Sequence, residues 1–283
     1  MFIYYERRPW KLVVGLLLVL AAINAGQMAL FGAVRQVIST AVGGRLVPIY
    51  YVATDEKKVA LSLDAVWGAD YTDQILDTFD KHHVKTTFFL AGFWLEKFPD
   101  RVREIAKRGH EIGNHTYSHP HLNSLSPAEI RTEVMRTHEM IEAITGRKAR
   151  LFRPPFGEYS NKVIEVAKEC GYETIMWSID SLDWRDLSAG EIVDRVMGKM
   201  HNGAIVLFHN NGTHTAEALT VIIPELLRQG YKIVPISDLL LKGDYYIHPH
   251  TGEQRPIEKP KPVQRPRPED QLKLERRSGD ERS

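Results

Sequence analysis

Two histidines stand four positions apart in Glu111-Ile112-Gly113-Asn114-His115-Thr116-Tyr117-Ser118-His119. On a helix or in a tight turn such a pair shares one face, and neutral imidazole is a good ligand for zinc and its first-row neighbours. With 12 histidines in 283 residues the spacing can also arise by chance. Its weight depends on which other reactive side chains the fold brings alongside. Asp64 closes the run Val59-Ala60-Leu61-Ser62-Leu63, and Arg153 opens Arg153-Pro154-Pro155-Phe156-Gly157. Asp180 and Asp183-Trp184 follow a third apolar stretch, and His209 ends Ala204-Ile205-Val206-Leu207-Phe208. A carboxylate that takes a proton from water and an imidazole that returns it are the equipment of hydrolysis beside a metal. Each residue also has a plain structural reading. Asp64 and Asp183 suit helix or turn caps, Arg153 a buried ion pair, His209 and Trp184 the core, and Gly157 a turn.

Apolar runs and amphipathic stretches alternate along the chain. Strands are expected at Val59–Leu63, Thr86–Leu90, His110–Gly113, Ala149–Phe152, Glu173–Trp177, Ala204–Phe208 and Lys232–Val234. Helices are expected at Tyr71–His82, Pro99–Arg108, Ser126–Gly146, Asn161–Glu169, Ser188–Met200, Thr215–Gln229 and Ser237–Leu241. Ser126-Pro127-Ala128-Glu129 carries the signature of a capping box. Strands that alternate with helices pair in parallel through right-handed crossovers, and seven such units suit a distorted (β/α)7 barrel, closed or slightly open. The reactive residues then fall at C-terminal strand ends, the rim where parallel barrels assemble their chemistry.

In this order the motifs Ser62-Leu63-Asp64, His115-Thr116-Tyr117-Ser118-His119, Arg153-Pro154-Pro155-Phe156-Gly157, Asp183-Trp184 and Leu207-Phe208-His209 resemble the polysaccharide deacetylases of carbohydrate esterase family 4, the NodB-homology domain. The resemblance runs from about Lys57 to Leu241. It implies metal-dependent removal of N-acetyl groups from amino sugars of a glycan such as peptidoglycan. It makes Asp64 the general base, His209 the acid, Arg153 the partner of the base and Asp183 the support of the acid. His115 and His119 become metal ligands, for Zn2+ or alternatively Co2+, Mn2+ or Ni2+. Trp184, Leu207, Phe156, Gly157, Tyr159 and Trp67 become substrate contacts. One position departs from the pattern. The family usually has two adjacent aspartates at the first motif, the second a metal ligand, and here Ala65 follows Asp64. The metal site is therefore weakened, and a glycan-binding protein without strong catalysis, or a deacetylase for another acyl amide or an O-acetyl ester, are the alternatives. Some spore-associated muramic-acid deacetylases share the departure.

The flanks set the expected setting. Residues Leu12 to Val34 carry no charge and follow Arg7, Arg8 and Lys11. That length and flank fit a transmembrane signal-anchor over 1–35 with the remainder extracytoplasmic, or a signal peptide cleaved near Ala41. Residues 36–56 read as a linker, 57–243 as the catalytic domain, and 244–283, rich in proline and mixed charge, as a disordered tail. Net charge of +1 gives no reason to expect nucleic acid. The single Cys170 excludes an intrachain disulfide, and a monomer is expected.

Overall fold

The computed structural model describes residues 44–257. Eleven strands and eight α-helices lie within them. The strands are β1 (Tyr51–Val52), β2 (Lys58–Ala65), β3 (Thr87–Leu90), β4 (Glu111–Asn114), β5 (Leu151–Phe152), β6 (Glu173–Thr174), β7 (Ile179–Asp180), β8 (Ile205–His209), β9 (Lys232–Ile233), β10 (Tyr245–Ile247) and β11 (Glu253–Pro256). The helices are α1 (Thr72–Lys81), α2 (Gly92–Lys97), α3 (Pro99–Lys107), α4 (Pro127–Thr145), α5 (Asn161–Glu169), α6 (Ala189–Met197), α7 (Thr215–Arg228) and α8 (Ile236–Leu239).

The main sheet has the order β6-β5-β4-β3-β2-β8-β7, with β9 also beside the start of β2, and every pairing in it is parallel. The sheet curls into an incompletely closed barrel, because no ladder joins β6 to β7 among the described residues. β2 is central and buried along nearly its whole length, as its continuous apolar run requires of a strand covered on both faces. Trp94, Phe79, Phe88, Phe152 and Phe208 fill the core between strands and helices. The expected capping box at Ser126 and Glu129 forms, and Gly146 ends α4 in the left-handed conformation at φ 68°. A second box, Ser188 with Glu191, opens α6.

Three features differ from the sequence expectation. Of the stretch expected as one strand at Glu173–Trp177 only Glu173–Thr174 is β6, and β7 follows after a break over 175–178. Part of the expected linker, residues 49–52, belongs to the barrel. Ile49 is fully buried, pairs in parallel with Ile175, and its amide donates to Thr174 O at 3.0 Å. Tyr51 pairs with Ala204, just ahead of β8, so residues 49–52 bridge from the end of β6 to the start of β8. The expected disordered tail begins as an ordered hairpin. β10 and β11 pair antiparallel, and β11 runs parallel to β1. The low apolar content there misleads, because the hairpin needs few apolar side chains to dock. Gln254 is fully buried and its Oε1 accepts the Leu241 amide at 2.8 Å. Among the described residues no helix is long and apolar enough to cross a membrane, and the Leu12–Val34 run lies outside them, as do residues 258–283.

Candidate active site

Register places the chemistry. Asp64 and His209 are direct partners on the neighbouring parallel strands β2 and β8. Asn114, one residue before His115, pairs with Leu90 on β3 and with Phe152, one residue before Arg153, on β5. Four strands therefore deliver their polar residues to one C-terminal rim.

Asp64 is 4% exposed, and the fully buried Arg153 donates through Nη1 to its Oδ1 at 2.7 Å. Arg153 Nη2 donates to Ser62 Oγ at 2.9 Å, and the guanidinium lies 4.1 Å from the Phe89 ring centre. Burial alone would raise the Asp64 carboxyl. The charge and hydrogen bond of Arg153 outweigh burial and hold Asp64 below its ordinary range, hence ionised. Burial also pulls the Arg153 guanidinium down, yet beside an ionised Asp64 it remains the cation of the pair.

The His115–His119 loop is a tight turn. Thr116 and His119 both have positive φ, 65° and 55°. Asn114 Oδ1 accepts the Thr116 amide at 2.9 Å, and Thr116 Oγ1 accepts the His119 amide at 3.2 Å. Glu133 on α4 accepts the amides of Tyr117 and Ser118 at 2.9 and 2.7 Å, and the Ser118 hydroxyl at 2.8 Å. So fixed, the two imidazoles stand 4.9 Å apart between ring centres. His115 Nδ1 lies 2.7 Å from Arg153 O. Assigned as the donor, it leaves the Nε2 lone pair free, 3.5 Å from Asp64 Oδ2. Burial lowers both histidines, and with His115 beside it His119 falls to about 3, so both are neutral.

These features fit two donors to a divalent ion: an oriented free Nε2 on His115, and a buried His119 Nδ1 with no protein partner. A third side-chain donor is missing. Ala65 is fully buried, and among the described residues no group of three or more His, Cys, Asp or Glu is arranged to hold a metal.

On the other wall, His209 Nδ1 bonds Asp183 Oδ1 at 2.8 Å. Asp183 Oδ2 accepts the His209 amide at 2.7 Å and the Thr215 hydroxyl at 2.6 Å, so this carboxylate is fixed from three sides. Burial would lower His209. The hydrogen bond and charge of Asp183, then the charges of Asp64 and Asp180, overcome it and raise the ring above its usual value.

Both walls open into one cavity of about 600 Å³. Asp64, His115, His119, Asp183 and His209 line it, as do the expected substrate contacts Trp67, Phe156, Gly157, Trp184 and Leu207. Trp67, Phe156 and Trp184 are 60%, 57% and 57% exposed, three of the few large apolar side chains of the described chain left in solvent. Arg153 stands behind Asp64 rather than on the lining. Tyr159 does not reach the cavity: its hydroxyl meets Arg45 Nη2 at 3.2 Å and Tyr50 Oη at 3.3 Å. The sequence placed Tyr159 among the substrate contacts, but the loop after Gly157 turns it toward the segment ahead of β1. The lining also holds Asp180, which the sequence placed at the rim without a role, and Val66, Trp177, Asp186, Asn211 and Gly212, to which it gave none. All lie within a few residues of a motif, which was the available signal. Gly212 is sterically required there, since a Cβ would come 2.2 Å from Thr215 Oγ1 and 3.1 Å from Asp183 Oδ2.

The polysaccharide deacetylase family profile matches residues 51–175. The chain is 37% identical over 189 residues to a peptidoglycan-N-acetylglucosamine deacetylase of Bacillus cereus, covering 65% of this chain and 69% of that protein. It is 37% identical over 193 residues to the uncharacterized protein YlxY of Bacillus subtilis, covering 68% of this chain but only 60% of YlxY. Among solved structures it resembles a carbohydrate esterase family 4 pseudoenzyme from Bacillus anthracis, at 41% identity and a TM-score of 0.66, covering 68% of each chain. A mutant pseudoenzyme of that family with restored enzymatic activity matches at 42% and 0.66, covering 68% of this chain and 70% of the other. Barrel, motif order and these similarities together show that the chain belongs to the polysaccharide deacetylase family, a family of hydrolases.

Proposed function

We propose that this chain is a peptidoglycan deacetylase that hydrolyses the N-acetyl group of an amino sugar, N-acetylglucosamine or N-acetylmuramic acid. The observation that carries the reading is the facing pair on β2 and β8: the Asp64 carboxylate held by Arg153, and the His209 ring held by Asp183, opening into one cavity. Asp64 takes a proton from the attacking water, and Arg153 keeps that carboxylate ionised between turnovers. His209 gives its proton to the departing amine nitrogen, and Asp183 holds the ring in the tautomer whose Nε2 faces the cavity. A single backbone N–H of the Arg153–Gly157 loop, in which Pro154 and Pro155 have none, receives charge developing on the carbonyl oxygen. A divalent ion at His115 and His119, zinc by donor type, would polarise the amide carbonyl and acidify a water. Exposed Trp67, Phe156 and Trp184 offer faces for sugar rings. The apolar N-terminal segment tethers the domain outside the membrane, where wall polymer is available.

Acetate release from peptidoglycan and chito-oligosaccharides, with and without chelator and with added zinc, tests this reading. Release that the chelator stops and zinc restores is expected. A second reading has a specific observation in its favour. Ala65 removes a metal donor, and a pseudoenzyme resembles this chain, so the domain would bind glycan without cutting it. Glycan affinity with no acetate from any substrate selects that reading.

A further inference from the structure

Trp67 is the most exposed large apolar side chain of the described chain, and the turn that carries it has little backbone support. Residues 66–68 make no backbone–backbone hydrogen bond among the described residues. Gly68, directly after Trp67, turns the chain with φ at +56°. The indole meets Phe93 at 5.3 Å and His119 at 6.2 Å between ring centres, and most of the residue stays open to solvent at the cavity mouth.

Two side chains hold this turn, both at the same atom. The Gly68 carbonyl accepts Trp94 Nε1 at 2.6 Å and Asn210 Nδ2 at 3.0 Å. Trp94 is a fully buried core residue of α2. Asn210 follows His209, the last residue of β8, and its amide donates to Asp64 O at 3.1 Å. Its Nδ2 also donates to Thr72 Oγ1 at 3.2 Å, at the start of α1. One carboxamide thus ties the Trp67 turn to the helix that follows it and to the strand end that carries His209. The two acceptors fix which end of the carboxamide is the nitrogen.

Asn210 does this at a cost. It is fully buried, and its Oδ1 has no hydrogen-bond partner. A buried carboxamide oxygen without a donor opposes folding, so stability alone favours an apolar side chain of similar size at this place. What the carboxamide contributes is its pair of N–H bonds. A flat ring binds a sugar face best when its distance and tilt are set beforehand, because a ring that swings freely loses that freedom on binding.

We propose that Asn210 is a positioning residue: through the Gly68 carbonyl it holds the Trp67 indole at the cavity mouth as a preorganised platform for one sugar ring of the glycan. The inference rests on the glycan reading above. It concerns binding, so it needs neither turnover nor an ion on the histidines.

Fluorine NMR of the full chain labelled with fluorotryptophan reads the ring, and calorimetry with chitopentaose reads affinity. The Trp67 and Trp177 resonances are identified by their loss in Trp67→Phe and Trp177→Phe. Asn210→Leu should shift or broaden the Trp67 resonance and leave that of Trp177 in place. It should weaken chitopentaose binding about 5-fold, and Trp67→Ala about 10-fold. In the Trp67→Ala background Asn210→Leu should cost about 2-fold at most, because the ring it acts through is gone. The Gly68 carbonyl keeps Trp94 as a donor in that variant, and a cooperative melt checks the fold. Asn210→Ala, and Trp94→Phe on the other donor, serve if the leucine variant does not fold. An unmoved Trp67 resonance in these variants overturns the proposal. So does an equal loss of affinity with and without Trp67, which places the effect of Asn210 elsewhere, and so does a displaced ring that binds chitopentaose as tightly as before. A wild type that binds no chitopentaose, with the Trp67 resonance displaced in the variants, rejects the glycan reading and keeps Asn210 as the holder of the ring.

Discussion

Asp64 owes its chemical state to a residue distant in sequence. Arg153 makes an ionised, 4%-exposed carboxylate tolerable, and loss of the cation would leave that charge buried and unpaired. The acid differs in that its partner, Asp183, holds the proton on rather than off. Asp64→Asn and His209→Ala should each slow acetate release on the order of 10²-fold or more, with circular dichroism and melting unchanged enough to show a folded barrel. Near-normal turnover in either rejects the roles. The raised His209 makes a pH prediction. The ring stays protonated above the usual histidine value of ~6.5, so the alkaline limb of the rate profile should lie above it, and Asp183→Asn should shift that limb downward. For stability the sign is the same. A raised folded-state value contributes fully below the unfolded value and is lost as pH rises through the folded one, so wild type should lose more stability than His209→Gln above neutrality. Ala65→Asp restores the side-chain type that the family carries at this position. It should tighten Zn2+ binding by about 10-fold or more, measured by competition with a chromophoric chelator.

At the scale of elements, the His115–His119 turn is held largely by side chains from outside it, with Thr116 adding one bond from within. Its two positive-φ residues are strained conformations for non-glycine residues, and they persist because Asn114, Thr116 and Glu133 satisfy the turn's amides. Glu133 contributes most from a distance, because α4 is anchored by its own capping box and by buried Ile130, Val134 and Ile141. Glu133→Ala should therefore weaken Co2+ or Zn2+ binding about 10-fold while the barrel still melts cooperatively, and Glu133→Gln, which retains an acceptor oxygen, should recover part of the loss. Equal metal affinity in the alanine variant would show that the turn holds itself.

For the whole molecule, the segment ahead of β2 and the hairpin after α8 matter more than their composition suggests. Residues 49–52 bridge from the end of β6 to the start of β8, and β11 clamps that segment from outside. Gly252 must be small there, since a Cβ would come 2.2 Å from the Tyr50 ring. A chain ending at Gly243 exposes β1 and leaves the Leu241 amide without Gln254, and should melt lower by ~5–10 °C in a thermal scan. An unchanged midpoint would make the hairpin an ornament rather than a clamp.

The sequence by itself determined the alternation of strands and helices, the ends of α4 and the position of each reactive residue at a strand end. Those features are written in local patterns: apolar runs, Ser126 with Glu129, and polar residues directly after each run. Tertiary structure alone decided three other things. Tyr159 turns away from the cavity while Asp180 and Asp186 enter it, because loop direction depends on what the loop packs against. Residues 49–52 and the β10–β11 hairpin join the barrel through backbone pairing, which leaves little trace in hydrophobicity. The charges of Asp64 and His209 are set by Arg153 and Asp183, and a side chain's proton affinity is a property of its neighbours in space.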